Sequence, residues 1–90
     1  MKFILIHSTG NDSNDAWYAW LKRKLKEKGH KIIAPDFPTP EGQTLSNWMN
    51  VFEPFFKEIN ENTVLIGRSI GAPFVLRILE KINVKVKATF

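Results

Sequence analysis

Apolar positions recur along the chain in two alternating rhythms. Phe3-Ile4-Leu5-Ile6 is an unbroken apolar run, as expected of a strand buried on both faces. A polar loop rich in Ser, Gly and Asn follows from Ser8 to Asn14. The spacing then predicts an amphipathic helix from Asp15 to Lys28, with Trp17, Trp20, Leu21 and Leu25 on one face. Asn14 or Ser13 would cap its start and Gly29 would stop it. Lys31-Ile32-Ile33-Ala34 reads as a second strand closed by Pro35, and the Pro-rich stretch Asp36 to Gly42 as a loop. A second helix is predicted from Leu45 to Ile59, with Leu45, Trp48, Met49, Phe52, Phe56 and Ile59 on one stripe. Pro54 falls inside it and should kink or split it near Phe52, because proline lacks the N–H and clashes with the preceding turn. Thr63-Val64-Leu65-Ile66 is a third strand, Ile70 to Lys81 a third helix with Pro73 tolerated in its first turn, and Val84 to Phe90 a fourth strand.

The order β-α-β-α-β-α-β implies a parallel sheet with right-handed crossovers and helices on both faces, a three-layer α/β/α sandwich. The pattern stops inside its last strand with no closing helix, so the sequence is expected to be part of a larger unit. A bare final strand would expose unpaired backbone groups and invite association.

Composition narrows the partners. The chain has 90 residues, 43% hydrophobic and 24% charged, which allows one domain at most and argues against disorder. The net charge of +4 is concentrated in Lys22, Arg23, Lys24, Lys26, Lys28 and Lys31, set against the single acid Glu27. We read this cluster as a solvated helix face, since no aromatic interleaves with the charges and no nucleic-acid motif accompanies them. No nucleic-acid partner is therefore expected. The apolar run at the N-terminus is too short for a signal peptide, no segment could span a membrane, and there is no cysteine. A cytoplasmic location is the expectation. With two histidines, no cysteine and no i, i+4 ligand pair, neither a metal nor another cofactor is expected.

The chemistry lies at Gly67-Arg68-Ser69-Ile70-Gly71. A G-x-S-x-G pattern directly after a buried strand and directly before a helix is the arrangement of a nucleophile elbow. The turn is tight, so the residues two before and two after the serine must be small, and the hydroxyl is lifted above the carboxyl end of the sheet. The Ile70 amide, at the helix start, then aims at the oxyanion of a tetrahedral intermediate. The alternatives are a plain strand-to-helix turn with Ser69 as a cap, or a phosphate loop. The second lacks both GxxxxGK[ST] and GxGxxG.

Around this motif, Ile6-His7-Ser8-Thr9-Gly10-Asn11, Ala16-Trp17-Tyr18-Ala19-Trp20-Leu21-Lys22, Ile33-Ala34-Pro35-Asp36-Phe37-Pro38, Trp48 and Ala72-Pro73-Phe74 make the whole chain resemble the retinoblastoma-binding protein nine and YdeN-like serine hydrolases. These form a compact branch of the α/β-hydrolase fold. The resemblance implies a truncated α/β-hydrolase sheet in the order 2-1-3-4, with Ser69 as nucleophile. It also implies that Ile70 and Thr9, with Ser8 next after Thr9, supply the oxyanion amides. Two departures stand out: Ser8 and Arg68 occupy positions where relatives often have Gly and His. Ser8 would constrain the oxyanion loop, and Arg68 would change only the surroundings of the elbow.

The implied activity is hydrolysis of a small ester or related acyl substrate. The triad acid and base should follow the serine in the order Ser, Asp, His. The 21 residues after Ser69 contain neither, so the isolated chain is expected to be nearly inactive. A complementing chain, or a second copy joined through Val84–Phe90, is the expected partner. A non-catalytic module using that strand is the alternative function. His7 shares the rim with Ser69 and is read as an anchor of the oxyanion loop rather than a general base. His30 lies at the opposite rim, and Asp36 orders the Pro-rich turn. Trp17, Trp20, Trp48, Phe52 and Phe56 are read as core before acyl pocket.

Overall fold

The computed structural model describes residues 1–7, 16–39, 41–68, 71–82 and 85–90, without the side chains of 16 and 17. Its elements are β1 (Lys2–Ile6), α1 (Ala16–Glu27), β2 (Lys31–Ile33), α2 (Leu45–Phe52), a 3₁₀ segment Glu53–Glu58, β3 (Thr63–Gly67), α3 (Gly71–Lys81) and β4 (Ala88–Thr89). The four strands form one parallel sheet in the order β2-β1-β3-β4, as expected of a truncated α/β-hydrolase sheet.

Register sets which residues share a face. Ile4 pairs with Leu65 and Phe3 with Val64, and successive strand residues alternate sides. Ile4, Ile6 and Leu65 pack under α2 and α3 with Phe37, Trp48, Phe52, Ile59, Phe74, Val75 and Ile78. Phe3 lies on the other face and meets the ring of His30 at 5.0 Å. The His30 N–H in turn donates to the Leu25 carbonyl of α1. Helices therefore cover both sides of the sheet.

Local chemistry explains where the helices stop and start. Gly29 follows α1 at φ +83°, a left-handed backbone that glycine adopts without steric penalty. Thr44 caps α2: its Oγ1 accepts from the Asn47 N–H at 3.0 Å. Pro54 breaks the second helix after Phe52, as expected, and the chain continues as a 3₁₀ segment. Phe52, Trp48 and Ile59 are buried, while Leu45, at the head of the expected stripe, is half-exposed.

Two expectations are corrected. The buried aromatic of α1 is Tyr18, 1% exposed, whereas Trp20 is 49% exposed. The inward stripe runs Tyr18, Leu21, Lys22, Leu25, so Trp20 falls outside it; the expected caps Ser13 and Asn14 and the Trp17 side chain lie outside the described residues. Of the expected last strand Val84–Phe90, Val84 lies outside the described residues, and among the rest the strand is shorter, Ala88–Thr89. Its register pairs Val64 with Ala88, so Val86 would oppose Asn62, which lies in the turn before β3 and offers no strand to pair with.

Candidate active site

The carboxyl ends of β1 and β3 meet the first turn of α3 in a junction with no spare volume. β3 ends at Gly67, α3 begins at Gly71, and the Gly71 N–H donates to the Arg68 carbonyl at 2.9 Å. A Cβ on Gly67 would sit 2.4 Å from the Gly71 carbonyl oxygen and 2.8 Å from the Cα of Ala72. A Cβ on Gly71 would sit 2.5 Å from the Ile6 oxygen and 3.0 Å from that of His7. These obstacles are backbone atoms, which cannot swing aside. Space, rather than a left-handed backbone, is what Gly67 supplies. Gly67 is thus required by the close approach of the first turn of α3 to the end of β3, and Gly71 by the contact between α3 and the end of β1.

The Ile6 carbonyl is the hub. It accepts from the Arg68 N–H at 3.2 Å, which extends the β1–β3 ladder past Gly67, and from the buried Tyr18 hydroxyl. One oxygen thereby ties α1, β3 and, through Gly71, the start of α3.

His7, the next residue, is 1% exposed. Its Nε2 accepts from the Phe37 N–H at 2.8 Å, and since a backbone amide can only donate, that nitrogen's lone pair is engaged. The ring lies 5.5 Å from that of Phe37 and 5.6 Å from that of Trp48. The hydrogen bond in the structure therefore anchors the loop after β2, a partner that the sequence reading did not name. Proton abstraction by Nε2 would first require giving up that bond. Phe37 stacks on Trp48 at 4.6 Å, and Phe74 of α3 meets both at 5.4 Å, forming an aromatic floor under the rim. Trp48 Nε1 donates to the Pro38 carbonyl at 2.9 Å, which fixes the same loop to α2. Trp48 and Phe52 are core, and Phe56 is half-buried against it.

Of the residues expected to act, Gly67 and Gly71 stand at the junction just described. Ser69, Ile70, Thr9 and Ser8 lie outside the described residues. Asp36 is an exposed residue of the loop after β2, and His30 sits at the far end of the sheet. The Tyr18 latch was not anticipated. Its signal was the i, i+3, i+4, i+7 spacing of Tyr18, Leu21, Lys22 and Leu25, overshadowed by the two tryptophans. Among the described residues, no three His, Cys, Asp or Glu side chains gather as metal ligands would, and no helix is long and apolar enough to cross a membrane.

The opposite rim is built differently. Lys2 Nζ donates to the Glu58 carbonyl at 2.5 Å and to its Oε1 at 3.1 Å, and Lys31 Nζ reaches the same Oε1 at 3.3 Å. Hydrogen bonds from Lys2 first, then Lys31, together with the two positive charges, hold the Glu58 carboxyl below the ordinary carboxylate value.

A family model described as serine hydrolase matches residues 3–90. The chain is 30% identical over 81 residues, 90% of its length, to the hydrolase YdeN of Bacillus subtilis (strain 168), of which it covers 43%. The crystal structure of the ydeN gene product from B. subtilis matches it with a TM-score of 0.88 at 27% identity, over 98% of this chain and 48% of that one. An extracellular α/β-hydrolase from a Paenibacillus species matches with a TM-score of 0.80 at 16% identity, over 99% and 38%, and shows the same fold. The chain spans less than half the length of each.

Proposed function

The chain belongs to the serine hydrolase family, and on that footing we propose that it carries the nucleophile half of an esterase-like active site centred on Ser69. In this scheme Ser69 Oγ attacks the carbonyl carbon of a small ester while its proton passes to a base. The charge that develops on the carbonyl oxygen is met by the amides of Ile70 and Thr9. Collapse expels the alcohol, which takes up the proton, and water then releases the acid from the acyl-enzyme. No Asp or His follows Ser69 within these 90 residues, so the acid and base come from a longer or separate polypeptide. Residues 1–90 form one partial domain on this view.

The observation that carries the proposal is the absence of space for any side chain at Gly67 and Gly71. A plain helix cap at Ser69 does not call for glycine on both sides. The nearer placement beside retinoblastoma-binding protein nine rests on the sequence motifs alone, and the cytoplasmic location on an N-terminal apolar run too short for a signal peptide, with the lack of cysteine consistent with it.

Hydrolysis of a short-chain p-nitrophenyl ester tests the proposal. The 90-residue chain alone should show background rates. Mixing with a downstream segment of a relative that supplies Asp and His should restore turnover, and S69A should abolish it. Equal turnover by S69A and the unsubstituted chain would overturn the assignment.

A second reading, a non-catalytic module that pairs through its last strand, has one feature in its favour. Among the described residues β4 pairs only with β3, and Phe90 beside it is 73% exposed. A strictly monomeric chain by light scattering at high concentration would count against it.

A further inference from the structure

Between the start of α2 and the first two turns of α3 lies a cleft of about 290 Å³. Leu45, Trp48, Pro73 and Phe74 form its apolar wall, and Gln43, Thr44 and Arg77 its polar one. The volume is at the lower end of small-molecule sites, roughly 300–1,000 Å³. Leu45 keeps its side chain half-exposed here although the stripe it heads is otherwise inward. The Trp48 Nε1–H is committed to the Pro38 carbonyl, so the indole presents only hydrocarbon to the cleft. Arg77 is the one ionisable group among the described residues of the lining. It pairs with Glu80 at 3.4 Å, both side chains being more than half exposed, and a pair of that kind is weak and easily exchanged. The cleft also begins close to the junction: Pro73 is two residues past Gly71 and Arg77 six, about 9 Å along a helix rising 1.5 Å per residue.

We propose that this cleft binds a small carboxylate with an apolar body, the hydrocarbon lying against Leu45, Trp48 and Phe74 and the carboxylate on the Arg77 guanidinium. Resting on the Ser69 assignment, it follows that the substrate is an ester bearing a free acid at its far end. The chemistry selects the class. A guanidinium presents a planar fork that matches a carboxylate, and its one recorded acidic partner among the described residues, Glu80, is exposed and outside the described lining, so a ligand carboxylate can displace it. A cationic ligand would meet repulsion, and a neutral one of the same length would gain only the apolar contact.

Amide and indole NMR titration of the 90-residue chain tests this with octanoate, 1-octanol and octylammonium. Octanoate should shift the Trp48 indole and Leu45 signals, and octanol and octylammonium should bind at least tenfold more weakly. R77Q, at an exposed position that should leave folding intact, should weaken octanoate about tenfold and leave octanol unchanged. S69A should bind octanoate as the unsubstituted chain does, so the ligand site is read independently of the nucleophile. Shifts confined to the lysines of α1, equal binding of the three probes, or unaltered affinity in R77Q would overturn the proposal. If S69A abolishes complemented turnover while octanoate fails to bind, the acid-bearing substrate class falls and the nucleophile assignment stands. If octanoate binds while Ser69 proves dispensable, the cleft stands and its substrate role falls.

Discussion

On the α2–α3 face of the sheet, Ile4, Ile6 and Leu65 lie under a block of Phe37, Trp48, Phe52 and Phe74, whose rings meet edge-on or stacked at 4.6–6.0 Å. On the α1 face, Phe3, Leu5 and Val64 are covered by a helix in which Tyr18 is the one fully buried side chain among those described. Among the described residues, the first face is held by volume and ring contact, and the second includes a directed hydrogen bond from Tyr18. That bond ends on the Ile6 carbonyl, the same oxygen that forbids a side chain at Gly71. The α1 face therefore contributes a hydrogen bond to the β1 oxygen that excludes a side chain at Gly71, while the aromatic face contributes most of the buried ring volume among the described residues.

If that division holds, truncation on the aromatic face should do the most damage. F52A removes a ring with no exposure that touches Phe55, Phe56 and Phe74. It should cost about 3–5 kcal/mol. In a domain this small, that lowers Tm by more than about 12 °C, read by circular dichroism. G71A forces a Cβ against the Ile6 and His7 oxygens and should cost about 1–3 kcal/mol. Thermal melts would check it, with the ester assay on the complemented protein falling further than stability alone explains. Y18F removes the hydroxyl but keeps the ring, so about 1 kcal/mol should be lost in denaturant unfolding. W20A, at an exposed position, should stay within about 0.5 kcal/mol of the parent by the same measurement. Greater damage from W20A than from F52A would reverse the comparison.

The smallest expected effect concerns the far rim and pH. The Glu58 carboxyl titrates below its ordinary value of about 4.3 because Lys2 and Lys31 bond its charged form. Its contribution is complete above that ordinary value and is lost as pH falls through the lowered one. E58Q should therefore flatten the acid limb of the stability profile slightly and leave neutral and alkaline melts parallel to the parent.

Much of this architecture was legible in the amino-acid pattern. The runs Phe3–Ile6 and Thr63–Ile66 marked the two central strands because a strand buried on both faces has no polar position to hide. Pro54 marked the helix break because its effect is covalent and local. The long final strand was misread because Val84-Lys85-Val86-Lys87 alternates as a strand should, yet pairing also needs a partner, and β3 begins only at Thr63. Trp20 was misplaced because two tryptophans three apart outweigh one tyrosine in any apolar count, while the decisive feature is a hydroxyl seeking the Ile6 carbonyl. At the elbow, the sequence marked Gly67 and Gly71 as small. What it could not reveal was the obstacle at Gly71, since the Ile6 and His7 oxygens lie at the end of β1, some sixty residues earlier. The engagement of His7 with Phe37 was hidden in the same way, its partner being a backbone amide that carries no sequence signature.

The most direct test is fluorophosphonate labelling read by intact mass. The chain alone should remain almost unlabelled, and adding a segment that carries the missing Asp and His should raise the labelling rate by about 10⁴–10⁶, the span lost when triad members are removed from well-studied serine proteases. The adduct should map to Ser69 and vanish in S69A. Rapid labelling of Ser69 in the isolated chain would contradict the claim that its catalytic partners lie elsewhere, and an adduct on any other residue would contradict the assignment of the nucleophile.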